Sequence, residues 1–132
     1  WKVSLLLGSG PSLATTLVLF CSHFHQISED KKHGKNSPLV RLGAKKGSQF
    51  VPWIIFTIYI FQLFTIVYGF IPVFCILYLI SFPQAIRLIN LLKSSYKKPS
   101  AIKNCKFIAI KFQTLNGVGL ITGLIFNYLL NK

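Results

Sequence analysis

GSQFVPWIIFTIYIFQLFTIVYGFIPVFCILYLISFPQAI, residues 47–86, contains no charged side chain. A helix that crosses the hydrocarbon core of a bilayer needs about 20 mainly apolar residues. The stretch is long enough for two such helices, and the segment from Tyr68 to Pro72 divides it. Gly69 favours a turn, and Pro72 fits the first turn of the next helix. The stretch therefore predicts a membrane-spanning helical hairpin.

Uncharged stretches also lie on both sides of this hairpin, at residues 3–28 and 112–131. Charged residues make up 13% of the chain, about half the share that is usual in soluble domains. The sequence therefore predicts an all-α membrane protein with four transmembrane helices, at about residues 4–28, 48–68, 72–92 and 107–131. A break or kink is expected near Pro11 and another near Phe82, because each lies at or beside a proline within a span.

Cations are concentrated in two loops, residues 31–46 and 93–106, whereas the turn at residues 68–72 has none. With four spans, both basic loops lie on one side of the membrane, and the positive-inside rule makes that side cytoplasmic or stromal. Because the cations alternate with membrane spans, the net charge of +13 does not indicate a nucleic-acid partner. The three cysteines have no metal-ligand spacing and are expected to be small buried apolar residues.

The chain has two acidic residues, Glu29 and Asp30, which are adjacent where the first span meets the first basic loop. The first helix is expected to run to about Asp30. On such a helix Gln26 lies one turn before both acids, and His23 continues the same face. Polar side chains at this depth usually face a cavity or the bundle interior. Carboxylates suit Mg²⁺, which binds through one or two of them together with substrate phosphates.

Lys35 and Arg41 follow the acids and suit the oxygens of a diphosphate. The same residues also fit an ordinary helix end with two solvated acids beside a cationic loop, and composition alone favours neither interpretation. In the last span, GVGLITG at residues 117–123 predicts a helix-packing face rather than a nucleotide-binding loop.

The string HQISEDKKHGKNSPLVRLG, residues 25–43, resembles the second acidic motif of the UbiA-type membrane prenyltransferases. That motif reads D-x-x-x-D followed by G-K-x-S/T and V-R-L-G. The resemblance is strongest to the phylloquinone and menaquinone branch, the 1,4-dihydroxy-2-naphthoate phytyltransferases of cyanobacteria and plastids, which also have Gln at the first acidic position. KFIAIKFQTLNGVGL, residues 106–120, is similar to the last span of that branch.

The resemblance implies the last four spans of a nine-helix bundle and a Mg²⁺-dependent transfer of a phytyl or polyprenyl group from its diphosphate to an aromatic acceptor. Asp30 and Gln26 occupy the catalytic positions, and Asp30 with Glu29 would hold the metal. Contacts to the diphosphate are expected from Lys31, Lys35 and Arg41, and the acceptor pocket would be bordered by His23 and His25.

The chain contains no Met and lacks the family's first acidic motif. We therefore expect a C-terminal fragment that is inactive alone, from a multi-pass protein of a thylakoid, plastid inner envelope or bacterial inner membrane. A homogentisate or 4-hydroxybenzoate acceptor is an alternative, and so is a non-enzymatic transporter half with Glu29 and Asp30 as an ion site.

Overall fold

The computed structural model describes the backbone of residues 1–132 and the side chains of residues 1–98 and 100–132. Within these residues the regular structure is entirely helical. The elements in chain order are α1 Lys2–Ser22, a motif turn of 3-10 type Phe24–Gln26, α2 Ile27–Lys32, α3 Pro38–Val67, a 3-10 helix Val73–Ser81, α4 Phe82–Ser95, α5 Pro99–Ile102 and α6 Cys105–Leu130.

Four helical stretches are long and apolar enough to cross a membrane: Lys2–Lys32, Pro38–Val67, Val73–Ser95 and Ser100–Leu130. This confirms the predicted all-α class and the four spans. α6 packs against α1, α4 and the 3-10 helix, and α1 also packs against α3. Leu17, Ile58, Leu88 and Phe112 are completely buried between these elements.

The 3-10 helix Val73–Ser81 buries every third residue, at Cys75, Tyr78 and Ser81. This spacing follows from 3-10 geometry, in which side chains three apart lie directly above one another. α6 approaches closely here, because Gly119 and Gly123 pack directly on its backbone. The predicted packing face of the last span is therefore confirmed.

Two elements differ from the sequence-based expectation near prolines and basic residues. α1 continues through Pro11 without ending, and the Thr15 hydroxyl donates to the Pro11 carbonyl at 3.0 Å. α3 begins at Pro38 instead of at residue 48, because Ser37 caps it and proline fits the first helical turn. The first helical turn, residues 38–42, thus lies within the first basic loop, and Gly43 separates it from the rest of α3.

Gly43 interrupts α3 with φ 77° and ψ 156°, a backbone conformation that favours glycine. At the other basic loop, α4 runs on to Ser95, beyond the predicted span end at residue 92. Near Phe82 the chain changes from the 3-10 helix to α4, with Pro83 in the first turn. The expected irregularity at this proline is thus a change of helix type.

A buried amide pair joins two spans. The Gln62 amide donates to Asn116 Oδ1 at 2.7 Å, and the Asn116 amide donates back to Gln62 Oε1 at 3.0 Å. Gly10 of α1 packs on the Gln62 side chain, where a Cβ atom would lie 2.6 Å from Nε2. These amides were not singled out from the sequence, although polar residues in uncharged spans are a visible signal.

Candidate functional site

The first span changes geometry where the acidic motif begins. α1 ends at Ser22, and in the motif turn the backbone N–H of Gln26 donates to the His23 carbonyl at 3.1 Å. The helical stretch thus continues past Asp30 to Lys32, as expected, but a 3-10 turn that was not predicted interrupts its α-helical geometry. A 3-10 turn advances about 120° per residue, since it has three residues per turn. His23 and Gln26, three residues apart across this turn, therefore lie one above the other, and Asp30 follows four residues later on α2.

The two carboxylates lie in different environments on α2. Asp30 is 9% exposed, whereas Glu29 is an exposed residue. Lys35 closes the end of α2 by donating its backbone N–H to the Asp30 carbonyl at 2.9 Å, and Gly34 provides the left-handed turn with φ 68°. Asp30 is thus the carboxylate that is held within the fold.

The fit of this site to a divalent cation is partial. Within the described residues no group of three or more His, Cys, Asp and Glu could hold a metal ion. Mg²⁺ needs fewer protein ligands, because it commonly retains water and substrate phosphates around one or two carboxylates. The buried Asp30 and the adjacent Glu29 therefore suit Mg²⁺ by donor type.

Lys35 and Arg41 lie on a short segment between two left-handed glycines, Gly34 and Gly43. Both cations are exposed. Arg41 is in the first turn of α3, where its backbone N–H donates to Ser37 at 3.1 Å. The segment therefore presents two exposed cations within the eleven residues that follow the buried carboxylate Asp30.

His23 lines a cavity of about 190 Å³ beside the motif. The other lining residues are Thr16, Leu19, Phe20, Pro38 and Leu39. The Nδ1 atom of His23 is buried and has no hydrogen-bond partner among the described residues. A buried polar atom without a partner is unfavourable by about 1–3 kcal/mol, so Nδ1 is expected to bond to a water molecule, a bound group or further protein.

His25 and Lys31 lie elsewhere, in a groove of about 350 Å³ that also contains Tyr96 and Lys97. The structure therefore does not bring His23 and His25 into one pocket. It does bring the two basic loops together, because Lys31 belongs to the first and Lys97 to the second. Their shared position agrees with the predicted topology.

Comparisons with known proteins identify two relatives. The chain is 35% identical over 111 residues to the 2-carboxy-1,4-naphthoquinone phytyltransferase of Synechocystis sp., covering 84% of the chain and 36% of that protein. It is 35% identical over 112 residues to the chloroplastic 2-carboxy-1,4-naphthoquinone phytyltransferase of Arabidopsis thaliana, covering 84% of the chain and 29% of that protein.

The chain spans about a third of the length of these curated relatives. No protein-family profile matches it, and no solved structure is significantly similar. The resemblance predicted from the acidic motif is nevertheless confirmed, because the chain is related to naphthoquinone phytyltransferases along most of its own length.

Proposed function

We propose that the full-length protein transfers a phytyl or polyprenyl group from its diphosphate to 1,4-dihydroxy-2-naphthoate, in phylloquinone or menaquinone biosynthesis. The observation that carries this proposal is the buried Asp30 at the end of a membrane span, followed by Lys35 and Arg41 in a relative of phytyltransferases. Fixed charges at the place where a diphosphate leaves are the main means of accelerating such a reaction.

Asp30 is the principal proposed metal ligand and catalytic residue, and Glu29 is the proposed second carboxylate. Mg²⁺ bound there would neutralise the diphosphate. Lys35 and Arg41 are proposed to bind its remaining oxygens. Lys31, although expected from the motif to share this role, lines the separate groove with His25 and is not proposed for it. When the allylic C–O bond breaks, the bonding electrons leave with the diphosphate, and the acceptor ring captures the carbocation with loss of its carboxylate. The apolar spans exclude water that would otherwise trap the cation.

His23 is the proposed contact to the aromatic acceptor, because its buried Nδ1 lacks a partner among the described residues. An acceptor hydroxyl or carboxylate can supply that hydrogen bond. His25 lines a separate groove, so it is not proposed for the same contact. Gln26, one position after His25, stays the proposed polar neighbour of Asp30 in the motif.

The oxidation state of the acceptor follows from this chemistry. The relatives are named for 2-carboxy-1,4-naphthoquinone. A quinone ring is electron-poor, whereas its two-electron reduced form, 1,4-dihydroxy-2-naphthoate, is electron-rich and can capture a carbocation. We therefore infer that the reduced form is the acceptor. The relatives come from a cyanobacterium and a chloroplast, so we propose a membrane of one of these two kinds. Because the chain spans about a third of their length, the segment of residues 1–132 is not proposed to act alone.

The test is a substrate panel with the full-length protein in lipid vesicles. Phytyl diphosphate is supplied with 1,4-dihydroxy-2-naphthoate, its oxidised form, homogentisate or 4-hydroxybenzoate, and prenylated products are quantified. We expect turnover with the reduced naphthoate at least about tenfold faster than with any other acceptor, equivalent to about 1.4 kcal/mol of transition-state discrimination. Faster turnover of homogentisate would replace the acceptor, and ion flux without any prenylated product would favour a transporter.

A further inference from the structure

The groove that contains Lys31 and Lys97, here called the loop groove, lies between the two basic loops. It is lined by the end of the first span, the start of α3 and the residues after α4: Phe24, His25, Ile27, Ser28, Lys31, Ala44, Tyr96 and Lys97. Its volume of about 350 Å³ is within the usual range for small-ligand sites. It is therefore large enough for a polar headgroup.

The chemistry of the loop groove favours an anion. Lys31 and Lys97 provide two ammonium groups, and the chain's two carboxylates, on Glu29 and Asp30, are not among the lining residues. The Lys97 ammonium lies 5.8 Å from the centre of the Tyr96 ring. Ser28 adds a hydroxyl that can donate a hydrogen bond to an oxyanion.

The apolar lining of the loop groove favours a lipid over a free ion. Phe24 is 4% exposed, and together with Ile27 and Ala44 it adds apolar side chains to the lining that contains the two cations. The groove also lies where three spans end, which is the level of the headgroups. Basic pockets between transmembrane helices at this level commonly bind phosphate headgroups.

We propose that the loop groove binds the phosphate of an anionic glycerolipid, with Lys31 and Lys97 on the phosphate oxygens and the apolar side chains against the glycerol backbone. The site is separate from the proposed catalytic carboxylate, because the groove lining excludes Asp30. Binding would link the end of the first span to the end of α4. The proposal does not depend on the identity of the acceptor or on prenyl transfer.

The test uses thermal unfolding of the full-length protein in nanodiscs of phosphatidylcholine, with and without 30% phosphatidylglycerol. We expect phosphatidylglycerol to raise the Tm by several degrees, since a ligand that binds the native state stabilises it. The double variant K31Q/K97Q should lose most of this shift. K31R/K97R should keep it, and so should K45Q/K46Q, which removes the same charge outside the groove.

A parallel measurement with Mg²⁺ and inorganic pyrophosphate distinguishes the two sources of phosphate. If the pyrophosphate shift survives in K31Q/K97Q while the phosphatidylglycerol shift disappears, the groove is a lipid site. Loss of the pyrophosphate shift would instead assign the groove to the diphosphate. If K31Q/K97Q and K45Q/K46Q lose the phosphatidylglycerol shift equally, the shift reflects the total charge of the protein and the proposal is wrong. The absence of any such shift in the unmodified protein would also overturn the proposal.

Discussion

The glycine that closes the V-R-L-G string has a backbone requirement that other residues meet poorly. Gly43 adopts φ 77° and ψ 156° inside α3, a conformation essentially restricted to glycine. It thereby separates the turn carrying Arg41 from the rest of α3. The motif glycine is explained by backbone geometry, without any contact to a ligand.

Gly43→Ala is predicted to destabilise the full-length protein by about 1–3 kcal/mol, because alanine is strained at this φ and ψ. Gly8→Ala is the matched control, since Gly8 is helical and a Cβ there meets no atom within 4 Å. Thermal unfolding in detergent measures both. Equal Tm values for the two variants would contradict the strain argument.

The Gln62–Asn116 pair is the second residue-level feature, and a double-mutant cycle tests it. Gln62→Leu leaves the buried Asn116 amide without its partner, and Asn116→Leu does the reverse. Each single variant is predicted to lose about 1–3 kcal/mol. The double variant should recover part of the loss, with a coupling of about 0.6–1.7 kcal/mol, as between other membrane helices. Strict additivity of the unfolding free energies would argue against the pair.

Among the secondary-structure elements, the four spans were predictable from the sequence, whereas the type of helix within them was not. The uncharged stretches predicted all four spans, because burying charge in a bilayer is unfavourable whatever the details of packing. The burial of Cys75, Tyr78 and Ser81 at every third position was not predictable, since the neighbouring residues are equally apolar. In the motif, residue types singled out Asp30, which is buried, as the proposed ligand. His23 and His25 line different cavities because residues two apart on a helix point to different sides.

The contact between α6 and the 3-10 helix gives an element-level prediction. At Gly123 a Cβ would lie 2.5 Å from the Cys75 Cα atom, so backbone must move. At Gly117, on the same helix, nothing lies within 4 Å. Gly123→Ala is predicted to lose about 1–3 kcal/mol by overpacking, whereas Gly117→Ala should be neutral or stabilising by up to about 1 kcal/mol. The opposite order of Tm values would refute this packing.

For the whole molecule, the position of both basic loops at one end predicts how the protein lies in a membrane. Lys46→Cys and Lys98→Cys should react with a membrane-impermeant maleimide from the cytoplasmic or stromal side, and Tyr68→Cys from the opposite side. The native cysteines, 0–1% exposed, provide a low background. Labelling of all three introduced cysteines from one side would contradict the four-span topology.

The buried carboxylate at the end of the first span is proposed to serve diphosphate chemistry in the full-length protein. The most direct test of this role compares Asp30→Asn with Glu29→Gln by steady-state prenyl transfer across a Mg²⁺ titration. Asp30→Asn should lower kcat/KM by about 100-fold or more, or roughly 2.7 kcal/mol, and raise the Mg²⁺ requirement, while the exposed Glu29 should matter less. Unchanged transfer and an unchanged Mg²⁺ requirement in a folded Asp30→Asn protein would contradict the assignment.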